Sequence, residues 1–153
     1  MNNDNIRKHI IIPALQAIES YSDDRLDMVF VTGSAESLYQ HIRQIEGPAR
    51  GWFQMEQATH DDIWSNFLRQ SDKQHLIKGL SWLSKRPGVP HELEVNPWYA
   101  AAMCAIHYMR FPEPLPKTGN RMAQAVYWKK YYNSPEGKGT EGEFLERTTE
   151  VGK

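Results

Sequence analysis

The sequence predicts a mainly α-helical single domain with little or no β-structure, and three observations carry that prediction. Apolar residues recur at helical rather than alternating spacing, Gly and Pro cluster between those stretches, and no run alternates long enough for a substantial sheet. With 153 residues, 40% of them hydrophobic, the chain has the usual size of one domain. A chain of that length buries roughly two-thirds of its unfolded surface, so one core is expected.

The elements follow in order. Ile10, Leu15 and Ile18 open the helical pattern, and Leu26, Val29, Phe30 and Gly33 continue it as one stripe. With Ser22 and Asp23 as capping residues, this stripe predicts a helix over about 23–38 that ends near Glu36 and Ser37. Residues 39–53 contain Gly47, Pro48 and Gly51 and read as an irregular or weakly β connection. Thr59 followed by Asp62 approximates a capping box ahead of Ile63, Trp64, Phe67 and Leu68, which places the start of the next helix at Thr59.

Leu76, Ile77, Leu80 and Leu83 predict a helix over about 72–84, closed by the break RPGVPHELEVNP. Asn96 as cap and Pro97 in the first turn open a helix from Trp98 to Arg110. It is the most apolar helix and belongs at the core. FPEPLPKTGN reads as a rim loop, Met122 to Tyr132 as the last major helix, and the Gly- and charge-rich tail from about 137 as ordered only in part. Trp64, Trp82 and Trp98 are expected in the core.

Composition disfavours several functions. Eighteen Lys and Arg against nineteen Asp and Glu give a formal charge of -1, so nothing draws the chain to nucleic acid in general. No stretch approaches the ~20 apolar residues that span a bilayer. MNNDNIRKHIIIPAL has a short apolar patch broken by Pro13 and no small-residue cleavage site, so no secretory signal is expected. Cys104 lies in an apolar run and reads as a buried hydrophobe. His60-Asp61-Asp62 is the densest cluster of metal-ligand types, but adjacent helical side chains diverge too far to close one coordination shell. Neither a metal nor another cofactor is expected.

The informative residues are Ala35-Glu36-Ser37 followed by Gly47-Pro48-Ala49-Arg50-Gly51-Trp52-Phe53-Gln54-Met55-Glu56-Gln57-Ala58-Thr59. Gln54 follows Glu36 by 18 residues. This coupled pattern resembles the signature of lytic transglycosylases and goose-type lysozymes, a Glu-Ser at a helix end followed by a Gly-rich segment with Gln and Ala-Thr. Tyr131-Tyr132-Asn133-Ser134-Pro135-Glu136-Gly137 is similar to the family's Ala-Tyr-Asn-Ala-Gly segment, so the resemblance spans roughly residues 24–137. Two departures stand out. Gln57 replaces the usual proline, and Ser134-Pro135-Glu136 replaces the Ala-Gly after the Tyr-Asn pair. The Gln-Met-Glu run and Tyr-Trp-Lys-Lys-Tyr-Tyr-Asn further resemble lysozyme-like proteins of tailed phages.

The resemblance implies a lysozyme-like fold and cleavage of peptidoglycan glycan strands, with Glu36 as catalytic acid. Such an acid must stay protonated near neutrality, and an apolar setting raises the pKa of a carboxyl group in the required direction. Substrate-binding roles fall to Ser37, Gln54, Trp52, Tyr132 and Asn133, with the Tyr132 hydroxyl directed at Glu36. Two mechanisms stay open. Either Glu36 acts alone as acid and then base to form a 1,6-anhydro sugar, the preferred reading, or a second carboxylate activates water, for which Glu46, Glu56, Asp61 and Asp62 are available by position, with Glu46 and Glu56 the candidates and none at a decisive spacing. A phage virion, or the host wall at the point of action, is the implied location, with other virion proteins as further partners. The reading of another class is a virion structural protein that keeps the fold without turnover.

Overall fold

The computed structural model describes residues 2–40 and 48–151. They form a mainly α-helical structure with one small two-stranded sheet, as the spacing of apolar residues predicts. Helix α1 covers residues 3–17 and includes a π-helical turn at Ile6–Ile11. Helix α2 is Asp23–Ser37. Strands β1, Ala49–Arg50, and β2, Met55–Glu56, pair antiparallel with Ala49 opposite Glu56. Helix α3 covers residues 57–67, α4 is Gln74–Leu83 and α5 is Glu92–Val95. Helix α6 is Pro97–Met109, α7 covers residues 121–133, and α8 is Glu141–Val151.

Helix α6 is the axis of the core. Every residue from Tyr99 to Tyr108 is buried, and four of them are alanines that let neighbouring helices approach closely. A helix apolar on all sides has no face to offer water, which is why this segment takes the centre. The Asn96 side chain accepts from the Tyr99 backbone N–H at 3.0 Å and donates through Nδ2 to the Leu83 carbonyl at 2.9 Å. One residue therefore caps α6 and joins it to the end of α4.

Helix α2 ends in two consecutive left-handed residues, Leu38 and Tyr39, with φ of 53° and 58°. They fold the Tyr39 ring back against Gly33, where a Cβ atom would lie 2.3 Å from the ring. The Tyr39 hydroxyl donates to the Phe30 carbonyl at 2.6 Å. Gly33 thus serves a close approach, and the last turn of α2 is locked from below. At the other end of α2, buried Asp27 accepts from Arg121, the Gly119 N–H and Gln124 at 2.7–2.8 Å. Those bonds fix α2 against the start of α7, so the two helices form a rigid corner.

Several expectations need correction. Helix α3 starts at Gln57 rather than Thr59, with Glu56 as a cap that uses no side-chain bond, because the chain leaves the β1–β2 pairing directly into the helix. Trp82 is 85% exposed and Trp98 40% exposed, while Trp64 is half-buried. Trp82 falls off the Leu76–Leu80 stripe, Trp98 spans the rim to donate to the His9 carbonyl, and Trp64 donates to the Tyr99 hydroxyl. The tail forms a helix, α8, with fully buried Phe144 and Thr148 packed toward α2 and α7.

His60, the core of the acidic cluster, is a structural residue. The Tyr99 hydroxyl accepts N–H bonds from Trp64 and Gly88 at 2.9 Å, which leaves its own proton for His60 Nε2 at 2.8 Å. His60 then carries its proton on Nδ1, facing Asp61 Oδ1 at 3.1 Å. Burial depresses its pKa and keeps the ring neutral. Asp62 turns away to Arg110 and Asn66. Among the described residues no three metal-ligating side chains gather, and no described helix is long and apolar enough to cross a membrane.

Candidate active site

A cavity of about 720 Å³ opens where the end of α2, the β1–β2 hairpin, α7 and α8 converge. Glu36 lies in it, on the last turn of α2. Although Glu36 keeps some exposed surface, protein packed around the carboxyl group pushes its pKa from 4.5 to about 7. Burial is the main cause. The Trp128 indole donating to the carboxylate and the cationic Arg147 oppose it and lose. A group with this pKa holds its proton for much of the time near neutrality and can also give it up.

The Trp128 Nε1–H reaches Glu36 Oε2 at 2.8 Å. Trp128 is buried, its ring 5.3 Å from that of Phe144 on α8, so the donor is held from behind. Neither Trp128 nor α8 was expected at the site. A signal for Trp128 existed, because it precedes Tyr132 by four residues and shares its helix face.

Ser37 is 2% exposed and spent on the backbone. Its hydroxyl lies 2.6 Å from the Trp52 carbonyl, to which it donates, and accepts the Tyr39 N–H at 3.0 Å. This ties the end of α2 to the hairpin in place of the expected sugar contact. Trp52 packs edge-on against Tyr39 and braces the same turn, so the aromatic lining comes from Trp128, Tyr131, Tyr132 and Phe144. Gln54 does line the cavity, held with φ at 49° and its amide donating to the Gly51 carbonyl at 2.8 Å. Gly51 itself has φ at 77° and abuts the Leu93 carbonyl, where a Cβ atom would lie at 2.0 Å. The hairpin thus seats on α5 only because residue 51 has no side chain.

Tyr132 lines the cavity, but its hydroxyl donates to the Phe53 carbonyl at 2.6 Å and not to Glu36. The ring stands 4.6 Å from that of His107, also in the lining. Burial, reinforced by Arg110, drives the His107 pKa down to about 3, so this imidazole is neutral and its Nε2–H donates to the Tyr131 carbonyl. Asn133 accepts from Lys129 at 2.8 Å and shapes the loop that follows. A Cβ atom at Gly137 would lie 2.6 Å from Asn133, and one at Gly139 2.6 Å from Trp128. Gly137 and Gly139 therefore provide the close approach in the segment where Ser134-Pro135-Glu136 replaces the Ala-Gly.

Glu56, on β2, lines the same cavity. Glu46 lies outside the described residues. Cys104 is fully buried and its thiol is pushed well above its usual range, which leaves it no nucleophilic role at neutral pH. The chain matches no model of a known protein family, no curated protein and no solved structure.

Proposed function

We propose that this protein cleaves the glycan strands of peptidoglycan between N-acetylmuramic acid and N-acetylglucosamine, with Glu36 as the acid. The observation that carries the proposal is a carboxyl group with a pKa of about 7 inside an aromatic and polar cavity of about 720 Å³. That volume suits a short run of sugar rings. Aromatic walls suit their apolar faces, and the Gln54 amide suits hydroxyl and acetamido groups.

In this mechanism Glu36 gives its proton to the glycosidic oxygen as the C1–O bond breaks and the sugar becomes oxocarbenium-like. The carboxylate left behind takes the proton of the muramic acid 6-hydroxyl as that oxygen bonds to C1. The product is a 1,6-anhydro end, and Glu36 is protonated again. Trp128 stabilises the carboxylate midway, when its charge has formed.

A hydrolytic reading is favoured by Glu56, which shares the cavity and supplies a carboxylate able to activate water. Mass spectrometry of fragments released from purified sacculi separates the two. Fragments lighter by one water than reducing muropeptides mean anhydro ends, whereas reducing ends mean hydrolysis. Release by wild type and none by Glu36→Gln is the expected result, and no release by wild type would overturn the proposal.

A further inference from the structure

Outside the segments that carry the sequence resemblance, α8 provides a wall of the cavity through Glu143, Phe144 and Arg147. Arg147 donates through its guanidinium to the carbonyl of Ala35, the residue before Glu36, across 112 positions of sequence. Four α-helix carbonyls have no partner at a C-terminus, and a cation there also meets the negative end of the helix dipole. From the same helix, Phe144 backs Trp128, whose indole holds Glu36. One short helix thus grips both sides of the acid.

We propose that Arg147 is a positioning residue for Glu36: from α8 it clamps the last turn of α2 through the Ala35 carbonyl and brings a cation to the carboxyl group's end of the cavity. The inference rests on the reading of Glu36 as the acid. Arg147 pulls against burial, so it keeps the proton of Glu36 releasable and favours the carboxylate that must form midway through the reaction.

The neighbouring charges do not supply this effect. Cys104, Tyr108 and Tyr132 are held neutral by burial, and His107 stays uncharged down to about pH 3. Glu56 on β2, Glu136 and Lys138 on the loop before α8, and Glu143 on α8 are exposed at the rim. They are present equally in wild type and in Arg147 variants, so a comparison cancels them.

The test uses the full chain with 13C-labelled glutamate carboxyl groups, assigned by the missing signal in Glu36→Gln. The Glu36 titration and the pH profile of fragment release are followed for wild type, Arg147→Gln and Arg147→Lys. Arg147→Gln should raise the Glu36 titration midpoint by about half a pH unit. It should carry the alkaline limb of the profile upward with it and lower turnover severalfold with KM unchanged. Arg147→Lys, which retains the charge without the planar fork, should hold the midpoint near wild type and lose part of the turnover. An Arg147→Gln midpoint that coincides with wild type would overturn the inference, as would a Lys variant that titrates like the Gln variant. If sacculi stay intact with wild type while the NMR shifts appear, the glycan-cleavage proposal fails and the clamp stands.

Discussion

The indole of Trp128 donates to Glu36 Oε2 at 2.8 Å, joining two residues 92 positions apart in the sequence. The bond strengthens when the carboxyl group is ionised, so it opposes the burial that raises the pKa of Glu36. Trp128→Phe retains an aromatic ring against Phe144 and deletes the donor. The Glu36 midpoint should rise, and turnover should fall about tenfold, as expected for loss of one hydrogen bond to a charge of about 1.4 kcal/mol. Steady-state kinetics across pH check this, and an unchanged profile would remove Trp128 from the mechanism.

Glu36 also makes stability depend on pH. Its folded-state pKa, about 7, lies above the ordinary 4.5, so the folded chain binds a proton that the unfolded chain releases earlier. The stabilisation is complete below pH 4.5 and lost as the pH rises through 7. Glu36→Gln escapes the cost of the buried charge. It should be more stable than wild type by roughly 1–3 kcal/mol at pH 8, with the advantage vanishing in acid. Urea unfolding at both pH values measures it, and a variant with no advantage at pH 8 would show that Glu36 ionises as freely folded as unfolded.

Asp27 follows the opposite sign. Burial works to raise its pKa, but bonds from Arg121, Gly119 and Gln124 outweigh this and hold it below the usual range. Its contribution is therefore present at neutral pH and lost as pH falls through the depressed folded value. Asp27→Ala removes the buried acceptor shared by Arg121, the Gly119 N–H and Gln124 at the α2–α7 corner and should cost about 3 kcal/mol at pH 7. The difference from wild type should narrow in acid, a trend that thermal melts from pH 7 to pH 3 would display or deny.

Gly51→Ala should be among the most damaging single-methyl changes. The new Cβ would stand 2.0 Å from the Leu93 carbonyl, on a backbone with φ at 77°. Neither the carbonyl nor the turn yields cheaply, and a loss of about 2–4 kcal/mol follows. A denaturation midpoint equal to wild type would mean that the hairpin does not seat on α5 as described.

Much of the scaffold was legible because its causes are local. The Asn96-Pro97 start of α6, its apolar circumference, and the Ser22 cap of α2 all follow from neighbouring residues. Trp82 departs from expectation for a local reason: Leu76, Ile77, Leu80 and Leu83 mark the inward face of α4, and residue 82 lies off that stripe, so an aromatic side chain there stays exposed. At the site, Glu36 and Gln54 were placed from their pattern, and both line the cavity. The groups around Glu36 were far less legible. Trp128 and Arg147 lie about a hundred residues downstream, and only Trp128 left a trace, its position one helical turn before Tyr132. Phe144 and Thr148, spaced by one helical turn, were the trace of a buried face in a tail otherwise rich in charge and glycine.

The long separations at the cavity bear on the order in which the molecule is built. The Tyr39 fold-back, the Asn96 cap and the individual helices close over short stretches and can form early. The contacts of Glu36 with Trp128 and of Ala35 with Arg147 span 92 and 112 residues, as far as the long-range contacts of the scaffold such as Trp98 with His9, and so belong to tertiary assembly. The carboxyl group acquires its raised pKa only with α7 and α8 docked around it, so any fraying of those two helices returns Glu36 toward an ordinary carboxylate.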